Sequence, residues 1–148
     1  MKRLLAVFLF TASCAHAQPQ VWVNAGFLSW HIDRDRGFRE DNWGLGGEVL
    51  FAPEHGATAG TFLNSEHQRS RYIGYQWRPA HWRPANLDLR GGVAFSLVDG
   101  YPGTRNGEVF FAPVPFLALE GRRIGANFLV LPNRRASAVA VQLKLRIW

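Results

Sequence analysis

The last stretch of the chain, Ser137-Ala138-Val139-Ala140-Val141-Gln142-Leu143-Lys144-Leu145-Arg146-Ile147-Trp148, decides the fold class. Val139, Val141, Leu143, Leu145 and Ile147 share one face, while Ala138, Ala140, Gln142, Lys144 and Arg146 share the other. A period of two is that of a strand with one apolar face. The stretch Leu87–Leu97 repeats it: Leu87, Leu89, Val93, Phe95 and Leu97 face one way, with Gly91 among them, and Asp88, Arg90, Gly92, Ala94 and Ser96 face the other. Gly, Pro, Asn and charged residues divide the rest into similar lengths. Eight segments result: Val21–His31, Trp43–Phe51, Ala57–Asn64, Ser70–Pro79, Leu87–Leu97, Glu108–Leu119, Arg123–Leu131 and Ser137–Trp148.

Two architectures satisfy this pattern. A soluble barrel or sandwich turns its apolar face inward, whereas an outer-membrane barrel turns it toward lipid and packs polar and small residues inside. Strand length favours the membrane, because about ten tilted residues cross the apolar core of a bilayer. Trp22, Trp30, Trp43, Trp77, Trp82 and Trp148 near strand ends also favour it. The expectation is therefore an all-β, eight-stranded antiparallel transmembrane barrel of up-and-down topology, with both termini in the periplasm. Outer connections then fall at Ile32–Asn42, Ser65–Arg69, Val98–Gly107 and Pro132–Ala136, and inner ones at Ala52–Gly56, Ala80–Asn86 and Glu120–Arg122. Trp148 lies out of phase with the apolar face and reads as an interfacial anchor added past the usual end.

The first residues are of a different kind. Lys2 and Arg3 precede an apolar run, Leu4 to Phe10, and small residues ending in Ala15-His16-Ala17 follow. Basic, apolar, then small-x-small is the order of a secretory signal. Residues 1–17 are thus expected to be a signal peptide and 18–148 the barrel domain, exported to the bacterial outer membrane. The 148 residues suffice for one domain. The single cysteine, Cys14, leaves with the signal, and the formal charge of +6 falls to about +4 as Lys2 and Arg3 go.

Parity gives that charge a place. Arg34, Arg36, Arg39, Arg69, Arg105, Arg134 and Arg135 fall in outer loops, with Arg71 just inside. Guanidinium pairs well with phosphate, which lipopolysaccharide carries on that side. Arg34, Arg36, Arg69 and Arg71 are the candidate substrate-binding residues. Solvated loop charge is the plainer alternative, and Asp33, Asp35, Glu40 and Asp41 offset the first loop. Export and the lack of a basic recognition helix disfavour nucleic acid as a partner.

Chemistry-bearing residues reach the same rim. His31 ends the first outward strand after Ser29-Trp30, and Asn64 and Ser65 end the third. An imidazole that accepts a proton and a hydroxyl that attacks or hydrogen-bonds a carbonyl suffice for acyl transfer. The alternatives are an interfacial histidine and an Asx turn at Asn64. Neither a Gly-x-Ser-x-Gly elbow nor a metal-ligand spacing occurs, so no metal and no cofactor is expected.

Several motifs occur in a set order. They are Ser29-Trp30-His31, Asp35-Arg36 through Asn42-Trp43-Gly44-Leu45-Gly46, Asn64-Ser65, and Ile73-Gly74-Tyr75-Gln76-Trp77-Arg78-Pro79. Ala112-Pro113-Val114-Pro115-Phe116 and Phe128-Leu129-Val130-Leu131-Pro132 follow. This set resembles the lipid A palmitoyltransferase (PagP) family. The resemblance implies an eight-stranded outer-membrane barrel that moves an acyl chain from a glycerophospholipid to lipid A without a cofactor. It also implies that His31 is the general base and Ser65 the nucleophile or carbonyl partner. Asn64 stands where the family has Asp, and an amide cannot carry charge. The family's amphipathic clamp helix has no counterpart in Gln18-Pro19-Gln20. Pro113, Pro115 and Pro132 lack N–H donors, and in the family such unpaired points admit lipid tails sideways. Gly44, Gly46, Gly92 and Ala94 are expected to leave room inside for one acyl chain. A non-catalytic barrel that binds or stabilises lipopolysaccharide is the alternative, and a lipid A deacylase a further one. The expected partners are outer-membrane phospholipid and lipid A. A closed barrel needs no second subunit, so a monomer is expected.

Overall fold

An open sheet exposes unpaired N–H and C=O groups along its edge strands, and closing the sheet into a barrel removes those edges. Eight strands achieve this here: β1 (Gln20–His31), β2 (Asp41–Ala52), β3 (His55–Leu63), β4 (Arg69–Trp82), β5 (Asp88–Val98), β6 (Phe110–Glu120), β7 (Ile124–Leu131) and β8 (Ala138–Arg146). They form an antiparallel meander in sequence order, and β1 pairs with β8 to close the barrel. The computed structural model describes residues 18–32, 35, 37–131 and 137–148. The expected signal peptide, Arg34, Arg36 and Pro132 lie outside the described residues.

The apolar face points out. Leu28, Ile73, Leu97, Leu143 and Leu145 are exposed, while Asn24, Glu48, Gln76, Asn127, Gln142 and Lys144 are buried in the lumen. This is the inverse of a soluble barrel. Chain ends gather at one rim, here the terminal rim, and the longer loops at the other, the loop rim.

The structure corrects the sequence reading in three places. β4 continues to Trp82, so residues 80–82 are strand and not turn, pairing with Gly91, Arg90 and Leu89. A bulge between Trp77 and Ala80 takes up Pro79, whose missing donor would otherwise interrupt the ladder. Gly44, Gly46 and Gly92 do not open space. A Cβ at Gly44 would meet Phe62, one at Gly46 the Tyr72 hydroxyl, and one at Gly92 the backbone of Trp77 and Arg78. Finally, β8 ends at Arg146, although Ile147 and Trp148 still exchange backbone hydrogen bonds with Val21.

A second bulge, between Ala25 and Phe27, shifts β1 against both of its neighbours. Gly26 makes it feasible, since a Cβ there would strike the backbone of Asn42 and Gly44. One extra residue reverses strand parity. Trp22 and Asn24 are therefore buried below the bulge, and Ser29 and His31 above it.

Buried charge fills the terminal half of the lumen. Lys144 Nζ donates to Glu48 Oε2 at 2.9 Å and to Glu120 Oε1 at 2.7 Å. Arg78 grips Glu120 with two parallel bonds, 2.9 and 2.6 Å. Asn24 and Asn127 donate to Glu48, and the Trp22 ring lies 4.8 Å from the Lys144 ammonium. Two cations offset two carboxylates, so the cluster is neutral. Lys144→Met would leave Glu120 paired with Arg78 but the buried Glu48 without a cation. Breaking such a pair costs about 3–5 kcal/mol, to be read from urea unfolding of the refolded barrel. A loss below about 1 kcal/mol would show that water reaches this floor.

Candidate functional site

Above the charged floor the lumen is open. A cavity of about 730 Å³ extends from the loop rim down to Gln76, Asn127 and Gln142. Along β8 its wall runs from Ala138 to Gln142, about 13 Å of strand. Phe27, Phe62, Val114, Phe116 and Leu129 make the wall largely apolar. Tyr72 crosses the lumen toward the glycines of β2 and β3, where a Cβ at Gly46 or Gly60 would strike its ring or hydroxyl. It thereby narrows the space beneath the apolar section.

The cavity also reaches the outside of the barrel. β6 pairs with β5 without interruption from Phe110 to Glu120, but among the described residues it pairs with β7 only from Phe116 to Glu120. Val130 and Leu131 pair with β8 alone. Pro113 and Pro115 sit opposite Phe95 and Val93 in the intact ladder, so their missing donors fall on the β7 side. Phe111 and Pro113 point outward yet border the cavity. Among the described residues the barrel wall is thus open sideways where Val114 and Pro115 of β6 pass Leu131 and Val130 of β7.

His31 and Ser65 line this one cavity. His31 is buried, with its ring 4.8 Å from that of Phe38, and its Nδ1 has no hydrogen-bond partner. It also borders a second pocket, of about 510 Å³, on the outer side of the rim, together with Phe38, Glu40, Asp41 and His67. No hydrogen bond joins His31 to Ser65. The Tyr101 phenol lines the same cavity. Burial, reinforced by the Glu66 charge, pushes that phenol well above its ordinary range, so it stays protonated.

Asn64 does not line the cavity. It is fully buried, and its amide donates to Ser70 Oγ at 2.9 Å and to the Gly100 carbonyl at 2.6 Å. Its oxygen accepts from the Glu66 and Gln68 backbone N–H groups. This is an Asx turn that also ties the β3–β4 loop to the β5–β6 loop. All four hydrogen-bonding positions of the amide are used, and a carboxylate could not supply the two donations. Arg69 and Arg71 are exposed and point away from the cavity, and Arg71 is held by Asp99 at 2.6 Å. Among the described residues no group of three or more His, Cys, Asp or Glu converges as metal ligands would.

No protein-family model matches this chain, and no curated protein matches it. The site therefore stands on its own geometry. Sequence parity brought His31 and Ser65 to one rim, but it gave no sign of Tyr101, Glu66 or Phe38. Tyr101 lies in a Gly-Tyr-Pro-Gly turn that no local pattern connects to the cavity.

Two outcomes follow. Asn64→Asp removes two buried donations and should lower stability by about 1–3 kcal/mol in urea titrations; an unchanged midpoint would mean the loops do not depend on the amide. Separately, the Arg71 backbone N–H and guanidinium hold the Asp99 carboxyl below its ordinary value of 3.8. The contribution of this pair is complete above that value and is lost as pH falls through the lower folded value. Hydrogen exchange of the β5–β6 loop should accelerate in that acid range, and Asp99→Asn should abolish the step.

Proposed function

We propose that this chain is an outer-membrane barrel that takes an acyl chain into its lumen and transfers it from a glycerophospholipid to lipid A. One observation carries the reading. A largely apolar cavity, closed by charge below and open sideways between β6 and β7, has on its wall a histidine that also borders a separate outer pocket. Transfer needs two substrates that meet at one base. A donor chain in the lumen and an acceptor sugar in the outer pocket would meet at His31. The outward apolar face and the resemblance to the lipid A palmitoyltransferase family support the membrane setting.

The chemistry then follows. The His31 imidazole takes the proton of the acceptor hydroxyl as its oxygen bonds to the donor ester carbonyl. The Ser65 hydroxyl hydrogen-bonds the carbonyl oxygen as charge develops there. The glycerol oxygen leaves with the proton that His31 accepted, releasing the lysophospholipid. Asn64 orients the Ser65 turn. Pro113 and Pro115 leave positions without donors on the β7 side of β6, beside the cavity.

A second reading has its own support. The Nδ1 of His31 lacks the carboxylate that orients the base in catalytic triads, and the Asn64 amide is fully used by the loops. These favour a non-catalytic barrel that binds lipopolysaccharide.

Incubating the refolded barrel with phospholipid and lipid A separates the readings. Lipid A should gain one acyl chain in mass. His31→Ala should slow this by about 10²–10⁴-fold, and Ser65→Ala by a smaller factor. Unchanged lipid A mass with a folded wild type favours the binding reading, and a mass loss indicates a deacylase. Asn64→Asp should gain no activity, because residue 64 faces the loops; a gain would assign it the orienting role. Cell fractionation should place the protein in the outer membrane, and recovery from the soluble periplasm would refute both membrane readings.

A further inference from the structure

The mouth of the lumenal cavity carries one feature that acyl transfer does not use. Arg105 is the only guanidinium or ammonium that lines the cavity among the described residues. Other arginines of the loop rim are neutralised or turned away: Arg39 pairs with Asp41 at 3.1 Å, Arg71 with Asp99, and Arg69 points outward. Arg105 is exposed, and among the described residues its side chain has no carboxylate or hydrogen-bonding partner. Glu66, the other charge at the mouth, accepts the Gly103 N–H at 2.6 Å.

The backbone holds Arg105 in place. Arg105, Asn106 and Gly107 all have positive φ, 51°, 55° and 85°. Non-glycine residues rarely adopt this conformation, and two in succession persist only where surrounding contacts impose it. Those contacts are present. Asn64 holds Gly100, Glu66 holds Gly103, Arg71 holds Asp99, and the Gly107 N–H returns to the Tyr101 carbonyl at 2.9 Å. A loop anchored at four points thus sets an unpaired cation over an apolar cavity.

We infer that Arg105 anchors the phosphate of an amphiphile whose alkyl chain occupies the cavity, and so selects phosphate-bearing over neutral lipids. Guanidinium binds phosphate through paired hydrogen bonds, and the geometry leaves its donors free. The inference rests on the cavity being an acyl-chain chamber. The phosphate belongs either to the glycerophospholipid donor or to lipid A.

The test uses the refolded full barrel in a neutral maltoside, with binding read by native mass spectrometry. The probes are dodecyl phosphate and dodecanol. The wild type should bind the phosphate at least tenfold more tightly. Arg105→Gln should reduce that preference to within twofold while dodecanol binding stays unchanged, Arg105→Lys should restore part of it, and Arg123→Gln, at the opposite rim, should leave it intact. Equal binding of both probes by the wild type, or an unchanged preference in Arg105→Gln, overturns the inference and leaves the chamber standing. Binding of neither probe overturns the chamber as well. Displacement of dodecyl phosphate by dihexanoyl phosphatidylglycerol would assign the donor as the source, and displacement by glucosamine 1-phosphate would assign the acceptor. Displacement by neither would overturn the anchor.

Discussion

The organisation of this barrel depends on the contact of Lys144 with Glu48 and Glu120. A barrel that shows its apolar residues to the outside must place its polar ones within, where water is scarce and an unpaired charge is costly. Pairing two carboxylates with Lys144 and Arg78 removes that penalty and fills the terminal half of the lumen. What remains is a blind chamber and not a pore. The same arrangement leaves the loop rim as the end that stays connected to the open part of the lumen.

Much of this was legible in the sequence. Strand count, meander order and the outward apolar face followed from period-two alternation and from turn residues at regular spacing. Parity alone carried His31 and Ser65 to one rim, because each lies at the end of an outward strand. What was not legible depends on pairing between distant strands. Glu48, Arg78, Glu120 and Lys144 are separated by up to 96 positions, and nothing local marks them as partners. The space attributed to Gly44 and Gly46 was misread for a similar reason, since the side chains that fill it, Phe62 and Tyr72, come from β3 and β4.

The bulge at Gly26 shows how a single residue governs the site. Within a regular strand His31 would lie on the face opposite Trp22 and Asn24. The extra residue brings both sets inside, so β1 contributes to the charged floor and to the chamber wall. Asn64 shows a different limit. The sequence shows an amide at position 64, but only the packed loops reveal that it has structural work that a carboxylate could not perform.

The interrupted seam between β6 and β7 has a mechanical side. Among the described residues five pairs join these strands, against eleven between β5 and β6. A cylinder with one weak seam does not breathe uniformly. Its widening and narrowing concentrate there, while the other strands move as a nearly rigid sheet. The barrel thus has a preferred direction of deformation, set where prolines replaced donors, and its least cohesive line is not the β1–β8 junction where the two chain ends meet.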